Sequence, residues 1–459
     1  MRWNEFVGRI IALVVAGILI IAGLIYSINQ FSGLSFEWLI FLFAIAGMLG
    51  ALMIVLTLFS SLGDQPEKRW ATKLPQVHEE AFLAALSHVV NAPAEHGEPV
   101  AILNNGKAFM PALLEAIASA KKTLNFTVYI WNNGRMSDQI FDALILKAQK
   151  GVQVRILLDG FGGLGAPEKR TEELKKAGGM VAVFRSFHLG KLTRFTRRTH
   201  CRAIIIDGKV GFTGGMAVDD QWLGDAKNPD EWRDMMFRVT GAMAQSLQGV
   251  FAQLWTGTVG EVLAGKDFYP DLHEPNHPSR YISLESSPSS DTEPLKPFYW
   301  ISVSVAQKTL YLTYPYAVPD YHLRVALMDR ARAGVDVRLL LPSKIDSKIT
   351  QWASNSYYAA YLKAGIKIYE YKKVVLHSKI LTVDGKWSII GSANLDIRSK
   401  TINEENVLGV LDTDLASRLD KVFFADLAKA NEVKLTEWEK RGFVPRILEW
   451  FFGVFKKQY

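Results

Sequence analysis

The sequence predicts an α/β protein: two tandem copies of one domain, each a mixed sheet flanked by helices, packed as one pseudo-twofold body behind a two-helix transmembrane hairpin. Three observations carry this. Long sequence blocks recur in the same order at nearly one spacing. Helical and strand-like periodicities alternate within each copy, as in layered α/β folds. Two apolar runs without a single charge open the chain.

The elements follow in order. Residues 11–28 and 39–59 are uncharged and each is about the ~20 residues that cross a bilayer as a helix. The link between them carries no Lys or Arg, whereas Arg2 and Arg9 precede the pair and Lys68, Arg69 and Lys73 follow it, so both ends are expected in the cytoplasm. Residues 1–60 therefore read as the hairpin and 61–98 as a polar connector with a short helix. The first domain spans 99–270. In it, "MPALLEAIASA" and "DQIFDALILKAQKG" have helical apolar spacing, and "LNFTVYIW" and "VQVRILLD" read as strands. Residues 271–297, rich in proline, read as a linker, and 298–459 as the second domain. Three landmarks tie the copies together: Gly334 lies 183 residues after Gly151, Thr309 lies 186 after Thr123 and His377 lies 177 after His200.

Composition narrows the partners. The chain has 459 residues, is 49% hydrophobic and carries a formal net charge of +7, which favours an anionic partner such as a nucleic acid or an anionic membrane surface. Its one cysteine, Cys201, excludes an intramolecular disulfide and reads as a small buried apolar residue.

The chemistry sits in the third landmark, "RTHCRAIIIDG" (198–208) and "VLHSKILTVDG" (375–385). Alternate residues of an extended chain share a face, so His200 pairs with Arg202 and His377 with Lys379. About a pseudo-twofold axis, two histidines and two cations converge. That set suits a phosphodiester: the cations neutralise its oxygens, one imidazole attacks phosphorus and the other protonates the leaving alkoxide. No metal or cofactor is expected. Asp207-Gly208 and Asp384-Gly385 carry a hairpin-turn signal and read mainly as structural. "HEPNH" (273–277) reads as a loop, because Pro275 breaks the helix that would align its histidines.

His377, Lys379, Asp384, Gly391, Ser392 and Asn394 form H-x-K-x4-D-x6-G-S-x-N, and with them the chain resembles the phospholipase D superfamily, bacterial cardiolipin synthase branch. "NLDIRSKTINEEN", "TYPYAVPDYHLRVAL" and "EWRDMMFRVTG" extend the likeness over almost the whole chain. The resemblance implies two tandem phospholipase D-like domains. It places Asp207 and Asp384 with the catalytic group, makes Glu405 the carboxylate that tethers a histidine, with Glu404 one place off, and sets Asp234 where a partner for the first histidine, His200, is expected. Ser392, Arg194, Arg197 and Arg198 are expected to bind the anionic substrate. The first copy departs from the pattern at Arg202, Gly215 and Ala217, where lysine, serine and asparagine are usual.

The implied function is phosphatidyl transfer between phosphatidylglycerol molecules through a phosphohistidine, by a multi-pass protein of the bacterial inner membrane with a cytoplasmic body and no nucleic-acid partner. Hydrolysis of the phosphodiester with water as acceptor, and a nuclease on the same fold, are the alternatives. The C-terminal "PRILEWFFGVFKKQY" is expected to pack on the second domain.

Overall fold

The structure is a computed structural model. It describes residues 74–449 apart from 187–196, 274, 288–292, 346–347, 444 and 448, together with four helical residues, Ile45, Gly47, Met48 and Gly50. The chain divides into two units, Met1–Thr72 and Lys73–Tyr459. The two apolar runs fall in the first unit and, but for those four residues, lie outside the described residues, as does most of the C-terminal segment 445–459. Among the described residues no helix is long and apolar enough to cross a membrane.

In the second unit the strands are, in chain order, β1 (Ala94–His96), β2 (Ala101–Asn104), β3 (Thr123–Val128), β4 (Gln153–Asp159), β5 (Met180–Phe184), β6 (Ala203–Ile206), β7 (Val210–Gly214), β8 (Met235–Thr240) and β9 (Arg280–Ser286). They continue as β10 (Thr309–Thr313), β11 (Ala317–Val318), β12 (Asp336–Pro342), β13 (Lys367–Tyr371), β14 (Ile380–Val383), β15 (Trp387–Gly391), β16 (Leu395–Asp396), β17 (Glu405–Leu411) and β18 (Ala430–Val433). Two large sheets form, ordered β2-β8-β7-β6-β3-β4-β5 and β1-β9-β17-β15-β14-β10-β12-β13-β18. In each, three strands run parallel (β3, β4, β5 and β10, β12, β13) and the rest of the shared order is antiparallel. The duplicated sequence thus folds twice into one mixed topology.

The pairing redraws two boundaries. β9 holds against β17 the place that β2 holds against β8, so the second copy opens at residue 280, inside the expected linker. Prolines 275, 278 and 288 flank that strand without entering it, and they masked its alternation of buried and half-buried residues. The expected connector also belongs to the second copy. Its helix Glu80–Val90 sets Phe82, Leu83, Leu86 and Val90 into the second core, where the Phe82 ring meets Trp387 edge-on at 5.2 Å. A fully buried Phe contributes about 1.5–3 kcal/mol, so this helix is a working part of that core.

Each sheet buries one face under its own helices. A third apolar cluster joins the halves: Val239, Leu247, Phe251 and Trp255 pack with Ile380, Ile390, Leu408, Val410, Leu415 and Leu419. The helices Gly241–Val259 and Thr413–Leu427 line this seam. It holds the two copies as one body and brings their equivalent strand ends together.

Asp207 and Asp384 close the β6–β7 and β14–β15 turns, where each aspartate and its following glycine take left-handed φ of 53° and 60°, and 52° and 61°. Those angles suit a tight turn with left-handed residues at both central positions, closed by the Lys209 N–H on the Ile206 carbonyl and the Lys386 N–H on that of Val383. Each carboxylate accepts three backbone N–H groups, from Lys121, Lys122 and Thr123 in one case and Gln307, Lys308 and Thr309 in the other. These residues sit at the far ends of β6 and β14, about 20 Å from the histidines at ~3.3 Å per residue. The placement of Asp207 and Asp384 in a catalytic group is therefore corrected: they anchor the entry into β3 and β10. Asp384→Ala is expected to lower stability by about 2 kcal/mol, as charge-assisted bonds to three amides are lost. Turnover per folded molecule should stay within about threefold. A full loss of turnover with an unchanged urea midpoint would contradict this.

Candidate active site

Both His-x-cation stretches run extended immediately before β6 and β14, where the halves meet. Two symmetric pairs of backbone bonds cross the seam. His200 N–H donates to the Glu404 carbonyl at 2.8 Å, and Glu404 N–H to that of Arg198 at 2.9 Å. His377 N–H donates to the Arg233 carbonyl, and Arg233 N–H to that of Val375, both at 2.8 Å. Each histidine is thereby registered against the strand end of the other half.

This register exchanges the carboxylate partners. His200 Nδ1 lies 2.8 Å from Glu405 Oε1 and 3.0 Å from Oε2. His377 Nδ1 lies 2.8 Å from Asp234 Oδ2. Asp234 was expected to hold His200 of its own copy; it holds His377 instead, because the seam places the start of β8 beside the second histidine and the start of β17 beside the first. Asp234 and Glu405 are fully buried and His200 and His377 are each 7% exposed. An imidazole that donates through Nδ1 to its carboxylate has its other nitrogen, Nε2, free to take or give a proton.

The cations complete the set. Arg202 Nη1 donates to the His200 carbonyl at 2.5 Å, and Lys379 Nζ donates to that of His377 at 2.6 Å while lying 3.2 Å from its Nε2. Arg202 is 1% exposed and its Nε has no hydrogen-bond partner among the described residues. The same is true of the buried Oδ1 of Asn394, 6% exposed. Buried polar groups are normally satisfied, so these two atoms mark where a polar ligand would find partners.

Burial, then Arg202 and Lys379, hold the His200 imidazole well below its ordinary proton affinity. His377 is lowered as well, by burial and then Lys379, with Asp234 pulling the other way. Burial pushes Glu405 up to about 7. Burial also works to raise Asp234, but the His377 hydrogen bond and charge, Lys379 and the Trp222 N–H outweigh it and keep the carboxylate below the usual range.

Ser392 is corrected too. It is fully buried, and its hydroxyl donates to Glu405 Oε2 at 2.5 Å, so it braces the carboxylate and does not face a substrate. Of the arginines expected to bind the substrate, Arg194 lies outside the described residues and Arg197 is exposed. Arg198 is 3% exposed, lies 3.6 Å from Asp159 and donates to the carbonyls of Arg197 and Arg185, which makes it part of the protein's own scaffold. Glu404, next to the histidine partner, pairs with Arg185 at 2.7 Å.

Several neighbours were not legible as site residues. Tyr129 meets the His200 ring at 5.1 Å, and Trp222 and Trp232 meet that of His377 at 5.6 and 5.3 Å. Asn406 accepts from the Arg202 N–H and donates to the Arg202 carbonyl. Such residues come from loops and strand ends with no motif of their own, although Asn406 follows directly on Glu405.

Glu285 on β9 stands opposite Asn406, with Oε1 buried and unpartnered among the described residues. Burial, then Glu404, raises it from 4.5 to about 8. The folded chain then holds a proton that the unfolded chain releases above about 4.5, so stability falls as pH rises through this window. Glu285→Gln does not titrate and is expected to gain stability over the native chain between pH 6 and pH 9, read by urea unfolding. A difference that does not vary with pH would refute this.

Two fused copies of one mixed-sheet domain, with a histidine, a cation and an exchanged carboxylate from each, define the class: a two-domain phospholipase D-like protein. The family model "Cardiolipin synthase, PLD-like domain" matches residues 113–255 and 302–427. The chain is 36% identical over 349 residues to cardiolipin synthase 2 of Bacillus anthracis, covering 76% of this chain and 68% of that one. It is 31% identical over 389 residues to a cardiolipin synthase of a Geobacillus species, covering 84% and 78%. In fold it is similar to the crystal structure of phosphatidylserine synthase from Haemophilus influenzae Rd KW20, with a TM-score of 0.63 over 82% of this chain and 99% of that one at 16% identity. The chain belongs to the cardiolipin synthase family of phospholipase D-like enzymes.

Proposed function

We propose that the protein is a phosphatidyltransferase that joins two phosphatidylglycerol molecules into cardiolipin and releases glycerol. The observation that carries this is the pair of buried histidines, each held through Nδ1 by a carboxylate of the other half, with Arg202 and Lys379 bonded to their backbone carbonyls beside them. In the first step His200 Nε2 attacks phosphorus, the bond to the terminal glycerol oxygen breaks, and His377 protonates that oxygen. In the second, His377 takes the proton from the hydroxyl of an incoming phosphatidylglycerol, whose oxygen attacks phosphorus as the P–N bond breaks. Asymmetry supports this assignment of roles. Asp234 stays ionised and stabilises the imidazolium His377 must present, and a bound phosphodiester adds negative charge that favours it further. His200, beside a carboxylate titrating near 7, is held neutral as a nucleophile must be. Arg202, Lys379 and the side-chain NH2 of Asn394 are assigned to the phosphoryl oxygens, whose charge grows in the transition state.

A lipid substrate accounts for the uncharged N-terminal runs, which we read as a membrane hairpin with the body on the cytoplasmic side of a bacterial inner membrane. The test is reconstitution of the full chain in phosphatidylglycerol vesicles with EDTA present. Cardiolipin and glycerol are expected in equal amounts by mass spectrometry, because side-chain cations supply the charge. Phosphatidic acid as main product would make the enzyme a hydrolase, and cleavage of DNA with no lipid product would make it a nuclease. Abolition by EDTA with rescue by one divalent ion would overturn the metal-free mechanism.

A further inference from the structure

We propose that Trp222 is a positioning residue for His377, acting through Asp234, in the place that Ser392 holds for His200 through Glu405. The two halves brace their carboxylates differently. In the second, the motif serine donates to Glu405 Oε2. In the first, Trp222 Nε1 donates to Asp234 Oδ2 at 2.9 Å, the same oxygen that His377 Nδ1 meets at 2.8 Å, and the Met235 N–H donates to Oδ1 at 2.8 Å.

The departure at Gly215 explains why. A Cβ there would lie 2.2 Å from Asp234 Oδ1 and 2.7 Å from its Cγ. Aspartate is one methylene shorter than glutamate, so its carboxylate stays close to its own backbone and fills the space a serine would need. The missing donor then comes from outside the motif. Trp222 is 2% exposed and ends the 3-10 turn Asp220–Trp222, capped by the Asp219 side chain. Its backbone packs so tightly that a Cβ on Gly106 would stand 1.8 Å from its carbonyl oxygen. Its ring meets Trp232 edge-on at 4.7 Å and the His377 ring at 5.6 Å. A buried indole N–H needs an acceptor, and any nearby carbonyl would serve; this one ends on the oxygen that orients His377.

The chemical consequence is specific. An indole donates and cannot accept or titrate, so it holds Oδ2 in place and lowers its basicity without offering the proton of His377 another acceptor. Besides Asp234, the charged groups that bear on His377 include Lys379 and Arg202, and His377 and His200 act on each other. Trp222→Phe keeps an aromatic ring at the site and removes the donor together with part of the indole, and the melting temperature reports the packing that goes with it. The carboxylate becomes more basic and favours the imidazolium, so the His377 titration moves to higher pH.

The test uses the full chain in detergent micelles with isotope-labelled histidine, followed by NMR. His377 is assigned by its loss in His377→Gln and His200 by its loss in His200→Gln. Trp222→Phe should raise the His377 midpoint by roughly half a pH unit or more and leave that of His200 in place. Ser392→Ala should move His200 and leave His377. In the turnover arm, which rests on the phosphatidyl-transfer reading, kcat should fall about tenfold with KM within about twofold, the loss of one hydrogen bond to a charged acceptor. If Trp222→Phe does not fold, the native protein still decides: one indole N–H resonance should track the His377 midpoint and shift in His377→Gln. An unmoved His377 midpoint in Trp222→Phe with a lowered melting temperature, or no indole that follows His377, would make Trp222 a packing residue. Native protein that makes no cardiolipin would refute the functional reading, while the NMR arm still judges Trp222.

Discussion

His200→Ala and His377→Ala are each expected to lower cardiolipin formation at least ~10²-fold, the low end for losing general acid–base catalysis. The reason is division of labour. An imidazole bonded to phosphorus cannot also protonate the leaving oxygen, so neither histidine substitutes for the other. The variants should separate in single-turnover experiments with radiolabelled phosphatidylglycerol. His200→Ala should form no phosphoenzyme, whereas His377→Ala should form it slowly and decay slowly. Near-normal turnover in His200→Ala would reduce the first copy to a scaffold. Phosphoenzyme in His200→Ala and none in His377→Ala would reverse the roles.

Asp234→Asn is expected to be almost as damaging, again ~10² or more, since a carboxylate that fixes a catalytic histidine can be worth up to ~10⁴. Both oxygens of Asp234 accept N–H groups, from Met235 on one side and from Trp222 and His377 on the other. An amide must turn its own NH2 toward one of these donors, so a buried bond is lost whichever way it sits. The exchange of partners makes the prediction sharper. Adding Asp234→Asn to His377→Ala should cost little more, because its histidine is already gone. Adding it to His200→Ala should lower the residual rate further. Glu405→Gln should show the reverse pattern. Such non-additivity is the signature of groups that act as a unit. The opposite pairing of costs would mean that each carboxylate serves the histidine of its own copy.

The duplication, the alternation of helix and strand and the spacing of the histidine–cation pairs were legible from sequence because each is local or repeats in register. Their signals survive without knowing what packs on what. The start of the second copy at 280, which the sequence places at 298, was not, since β9 becomes a strand by pairing with β17, more than a hundred residues later. The helix Glu80–Val90 likewise precedes the first copy in the chain but completes the core of the second, a choice made by where its apolar face finds cover.

By itself, the sequence singled out the groups we assign to the reaction: two imidazoles, two cations, two carboxylates and the residue types that suit a phosphodiester. It also determined that they come in equivalent halves. Tertiary structure alone decided which carboxylate serves which histidine, that Ser392 and Arg198 face the protein's own groups, that Asp207 and Asp384 tie down strand ends, and that a tryptophan replaces a serine beside Asp234. The physical reason is range. A motif records what a stretch of backbone presents, at ~3.3 Å per residue along a strand. The exchange of partners depends on the apolar seam between the halves, which aligns strand ends far apart in the chain to hydrogen-bonding distance.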